Sequence, residues 1–201
     1  MVSSSNLLHV GGGLASAVAG VLLLLGHVLD LGGDPEYGTA LGGILVLAAH
    51  VVLVFAFVAL YAAQAEQSGL LGILGMVLSV VGTTLVSGVV LIEIAGASGA
   101  EADAVLRAGL TSALALLGGL AFLIGLILFG ASTMRAGVFP RLAGLLLIVG
   151  DVVFGAGSFA GAAATIFEIL GALITCAALV WLGVSLLSRI DTSARQTARV
   201  S

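Results

Sequence analysis

The sequence predicts an all-α protein, a polytopic transmembrane bundle of six helices, on three observations. The 201 residues are 61% hydrophobic and only 8% charged, with a mean hydropathy of +1.32. A soluble domain of this size needs far more polar surface to cover its core. Apolar runs of roughly 20 residues, the length that crosses a bilayer core as a helix, follow one another along the chain. They are too unbroken for membrane β-strands, which alternate over about ten residues. The cations then sort by side. Arg135, Arg141, Arg189, Arg195 and Arg199 fall in segments that an even number of crossings puts on the side of the N-terminus. The odd connections hold Asp30, Asp34, Glu36, Glu101 and Asp103, with Arg107 their one cation. The positive-inside rule then places both termini in the cytoplasm. The expected location is the plasma membrane of a bacterium or archaeon.

Helix 1 is expected over about 7–29. No Lys or Arg precedes it, and its small residues Ala15, Ala17 and Ala19 come before the Leu22–Leu25 run rather than after it. Both points favour a retained helix over a cleaved signal peptide. The acidic, turn-rich stretch Asp30–Gly38 follows. Helix 2 returns over about 39–63, and the polar residues Gln64, Glu66, Gln67 and Ser68 are expected to form the turn into helix 3, about 70–94. A Gly/Ser/acid loop from Ala95 to Asp103 leads to helix 4, about 104–131, whose first turn carries Arg107. Arg135, Gly137, Pro140 and Arg141 mark the next turn. Helices 5 and 6 are expected over about 142–160 and 163–187, with the break near Gly161. The transmembrane domain thus occupies 1–190 and a polar, basic tail 191–201, leaving no room for a soluble catalytic domain.

Even helices end with related text, Ala59–Ala63, Ile127–Ala131 and Val180–Val184, and odd helices begin with Leu and Gly. This suits three stacked helical hairpins; chance likeness among Leu/Gly-rich membrane segments is the competing reading. Thirty glycines matter because small residues let helix backbones approach in lipid. Gly13, Ser16 and Gly20 share a face of helix 1, Gly75, Ser79, Thr83 and Ser87 follow near-helical spacing on helix 3, and Gly144, Gly155 and Ser158 share a face of helix 5. Tight packing is the expected use, and a polar track for a solute the alternative. Such faces also permit a homo-oligomer or contact with another membrane protein.

Ionisable residues inside the apolar runs are the candidate site, because charge in the bilayer is costly and often functional. Asp151 sits about ten residues into helix 5, on the small-residue face. His50 lies at a similar depth in helix 2, where the two would form a midplane Asp/His pair for a proton or ion. Glu168, Glu93 and His27 lie toward the acid-rich side and would form a polar vestibule with Arg107. A structural polar pair is the bland alternative for Asp151 and His50, and a headgroup position for the others. Haem or quinone near His50 is a further redox reading, but His27 and His50 differ by roughly 12 Å in depth at about 1.5 Å per residue, too much for one haem. A metal site from His27, Glu93 and Glu168 has no supporting spacing motif, and no metal is assigned. Cys176, the single cysteine, reads as an inert buried residue. There is no aqueous phosphate loop, zinc-protease motif or nucleophile elbow, so no enzyme is expected. A net charge of −4 offers no basic patch for nucleic acid.

Tyr61–Gly72 and Leu128–Gly144 resemble a loose group of uncharacterised bacterial integral membrane proteins. The resemblance covers about half the chain. It implies a compact six-helix bundle in the plasma membrane and carries no activity or site residues. The sequence therefore points to a non-enzymatic structural or accessory membrane subunit, with a small proton- or ion-coupled transporter as the runner-up and a haem- or quinone-binding redox protein third. The lipid bilayer is the expected partner in each case.

Overall fold

The computed structural model describes residues 4–34 and 36–200, with side chains for 7–34 and 36–189. Among these residues the chain is helical with no strand; one isolated bridge pairs Asp34 with Gly38 in the first loop. The elements are α1 (Ser4–Asp30), a helical run Ala40–Ala97, α4 (Gly109–Ala136), α5 (Arg141–Ala156) and α6 (Ala164–Val200). Single turns lie at Asp103–Leu106, Gly157–Phe159 and Gly161–Ala163. The run Ala40–Ala97 breaks at Gly69 (φ 55°, ψ −152°), which makes it two helices, α2 (residues 40–68) and α3 (residues 70–97). Five segments are long and apolar enough to cross a membrane, that run counting as one.

Local chemistry explains the ends. Thr39 caps α2: its hydroxyl accepts from the Gly42 N–H at 2.9 Å. Asp30, the last residue of α1, accepts from the Thr39 N–H at 2.8 Å and from its hydroxyl at 3.1 Å, so one carboxylate fastens the end of α1 to the start of α2. Gly137, left-handed at φ 65°, ends α4, and Pro140 precedes α5.

Several boundaries differ from expectation. Gln64–Ser68 are helical, and the reversal falls on Gly69 alone. Of the polar residues there, Glu66 and Gln67 are exposed while Gln64 and Ser68 are buried against neighbouring helices. The start expected for helix 4 is a separate turn, Asp103–Leu106, because Ala108 is extended (ψ 133°). α5 stops at Ala156, four residues early, where the backbone tightens into the two 3₁₀ turns. α6 continues as helix through the basic tail to Val200; the side chains of Arg195 and Arg199 lie outside the described residues.

Consecutive helices pack antiparallel. Gly12 meets Ala59 and Gly26 meets Val46 between α1 and α2; Gly43 meets Ile94 between α2 and α3; Gly82 meets Phe122 between α3 and α4. Gly130 abuts Gly144 between α4 and α5, and Gly171 abuts Phe154 between α5 and α6. α6 closes back on α1, where a Cβ on Gly13 would lie 2.9 Å from the Gly183 carbonyl oxygen. These approaches need glycine, as expected where packing rather than hydrophobic drive joins helices. Hydrogen bonds stitch the same seams: Ser16 Oγ donates to the Leu179 carbonyl at 2.7 Å, and Gln64 Nε2 to Thr133 Oγ1 at 3.2 Å. The core is apolar, with Leu53, Phe57, Leu60, Leu126, Phe129 and Leu147 fully buried. Large apolar side chains also face outward along the helices, among them Phe55, Leu70, Leu110 and Phe159.

The antiparallel order gives the bundle two ends. One carries the loops with Asp30, Asp34, Glu36, Glu101 and Asp103 and is called the acidic end. The other carries the Gly69 corner with Arg135, Arg141 and Arg189 and is called the arginine end. Arg189 Nη2 donates to the Val138 carbonyl there, and its guanidinium lies 5.5 Å from the Phe139 ring centroid.

Candidate functional site

Asp151 projects from the face of α5 that also buries Gly144 and Leu147. It is only 5% exposed, and its Oδ2 is buried without a hydrogen-bond partner among the described residues. A buried polar atom without a partner is uncommon enough to need an explanation.

His50 is equally buried at 5%. Its Nδ1 lies 2.9 Å from the Val46 carbonyl one turn back on α2, and its ring sits 5.6 Å from Phe122. No hydrogen bond or ion pair joins it to Asp151 among the described residues. α5 packs on α4 and α6 and makes no contact with residues 40–97, so the structure does not bring the expected Asp151–His50 pair together.

The His27 ring lies tilted by 58° against Phe154, centroids 5.0 Å apart, one turn above Asp151 toward the acidic end. The structure brings His27, Asp30, Glu93 and Glu168 into one neighbourhood at that end: Glu93 is within Coulombic reach of Asp30 and Glu168, and His27 of Asp30. Glu168 packs near Gly157, whose Cβ would fall 3.2 Å from its Cγ. Asp30 was legible only as a loop acid; its position three residues after His27 on the same helix was the available signal.

Arg107 is not part of that group. It pairs on the surface with Glu36 at 2.7 Å and Asp103 at 2.6 Å. The Asp103 carboxylate holds the Arg107 guanidinium above its ordinary value. Beside them Tyr37 packs on Gly96. Partial desolvation and then the Glu36 and Asp103 charges push the Tyr37 phenol above its usual 10.0.

A second polar cluster, missed from sequence, lies at the arginine end between α2, α3 and α4. Gln64, Ser68, Ser132 and Thr133 meet there, with Gln64 Oε1 and Ser132 Oγ unpartnered. Its residues are neutral, and Gln64 and Ser68 read as an aqueous turn. The i,i+4 spacing of Gln64 and Ser68 was the signal that they share a helix face.

Among the described residues, no group of three or more His, Cys, Asp or Glu side chains is placed to hold a metal ion. No family model matches the chain, and neither does any curated protein or solved structure.

Proposed function

We propose that this chain is a multi-pass integral membrane protein that serves as a non-enzymatic structural or accessory subunit. The observation that carries the reading is the closure of the helix seams by glycine around a filled apolar core, beneath an apolar outer surface. Such a bundle is suited to lying in lipid and holding its shape. The arginine end would face the cytoplasm and the acidic end the outside, in keeping with the positive-inside rule.

The second reading is a proton- or ion-coupled carrier. The unpartnered Asp151 oxygen favours it, since an intramembrane acid is a functional candidate by default. One assay separates the two. For an accessory subunit, liposomes containing the wild-type chain carry no more proton current than protein-free liposomes, and Asp151→Asn changes nothing in it. A wild-type flux that disappears in a folded Asp151→Asn variant would overturn the accessory reading and establish the carrier.

A further inference from the structure

We propose that the arginine end binds an anionic phospholipid, with the lipid phosphate at Arg135 and Arg141 and an acyl chain along the outward face of α5. The inference rests on the membrane reading and deepens it by naming a partner. It is independent of whether the bundle carries protons.

The headgroup site is built on one short loop. Arg135 lies in the last turn of α4, and Arg141 opens α5. The two helices meet beside them, where a Cβ on Gly144 would lie 2.7 Å from the Gly130 carbonyl oxygen and 3.0 Å from Met134 Cγ. The loop between the arginines is anchored. Phe139 is buried, Arg189 of α6 donates to the Val138 carbonyl, and its guanidinium lies 5.5 Å from the Phe139 ring centroid. Two cations are thus held at either side of a fixed turn. Both are exposed. Neither forms an ion pair among the described residues, whereas Arg107 at the acidic end is held by two carboxylates. An arginine fork matches the oxygens of a phosphate.

The acyl-chain site follows from how α5 packs. It turns small residues to its neighbours: Gly144 meets α4, and a Cβ on Gly150 would lie 2.7 Å from the Thr175 nitrogen of α6. Its bulky residues Leu142, Leu145, Val149 and Val152 are exposed, and their spacing puts them on one face of the helix. Arg141 stands one turn before Leu145, at the head of that face. From Leu142 to Val152 the strip is about 15 Å long at ~1.5 Å per residue, half of the ~30 Å bilayer core. A cationic cap over an apolar strip one leaflet deep complements a phospholipid. A free anion would use the cap alone.

The charges at the two ends favour the same site. Among side chains described at the arginine end, Glu66 is the one acid against Arg135, Arg141 and Arg189. It lies on α2, in the stretch 40–97 that α5 does not touch. The acidic end would repel an anionic headgroup. Orientation by the positive-inside rule needs only cations in the right loops; it does not need them unpaired, on an anchored turn, above an apolar strip.

Native mass spectrometry of the detergent-purified full chain tests this, with phosphatidylglycerol and phosphatidylcholine of identical acyl chains offered in equal amounts. The expected result is a preference for bound phosphatidylglycerol of roughly 25-fold, about fivefold for each arginine. Arg135→Gln and Arg141→Gln should each lower the ratio about fivefold, and the double variant should bring it near one. Arg107→Gln should leave it unchanged. A wild-type ratio near one would overturn the proposal even if the variants do not fold. A ratio kept in the double variant, or lost in Arg107→Gln, would also overturn it. Inorganic phosphate in large excess should not change the ratio; its collapse would mean a site for free anions and no lipid site. The membrane reading is checked separately by alkaline extraction from phosphatidylcholine liposomes. A chain that stays inserted yet shows no lipid preference overturns this proposal alone, and a chain that is stripped off overturns both.

Discussion

A buried oxygen with no partner has a cost that can be read from stability. An unsatisfied buried polar group costs about 1–3 kcal/mol, and Asp151 Oδ2 is such a group. Asp151→Val should therefore raise the stability of the bundle by roughly that amount, measured as resistance to denaturing detergent. A loss of stability would mean that Asp151 holds the fold. The residue scale was only partly legible in the sequence. The depth of Asp151 and His50 could be counted along their helices, because rise per residue is fixed. Their separation could not, because it depends on which helices are neighbours, and α5 packs on α4 and α6 rather than on α2. Gln64 was misplaced for a related reason: polarity normally means water, yet here Thr133 supplies its partner inside the bundle.

At the scale of the element, the corner between α2 and α3 is the most demanding. Gly69 has φ 55° and ψ −152°, a region almost closed to side-chain-bearing residues and costing about 1–3 kcal/mol when one is forced into it. A Cβ there would meet no other atom, so backbone strain alone is at stake. Gly69→Ala should cost about 1–3 kcal/mol in the same detergent assay. Unchanged stability would mean that the reversal tolerates another backbone shape. Helix number was legible because apolar runs and turn residues alternate so plainly. Helix ends were less so: the early stop of α5 carries no proline and no charge, only small residues and aromatics. The extension of α6 to Val200 joins polar text to an apolar helix, where composition and backbone conformation part company.

For the whole molecule, the two ends make opposite commitments. With six long helices and antiparallel neighbours, Ser98 and Gly137 lie at opposite ends of the bundle. In a Cys176→Ser background, Ser98→Cys should react with a membrane-impermeant thiol reagent added outside intact cells, and Gly137→Cys only after the membrane is opened. The reverse pattern would invert the orientation, and reaction of both from outside would remove the membrane reading. The class of molecule was the most legible feature of the sequence, since composition and run length alone set it. The helix order was not, because every seam uses the same few small residues. The Gly69 corner has a consequence for how such a protein is made. Helices joined by a long loop can enter a bilayer one after the other, the second waiting in water. α2 and α3 share a single residue, and that residue takes its shape only when the second helix folds back on the first. On the membrane reading proposed above, the two are expected to enter the bilayer as one insertion unit, and synthesis paused between them would leave the first without its turn.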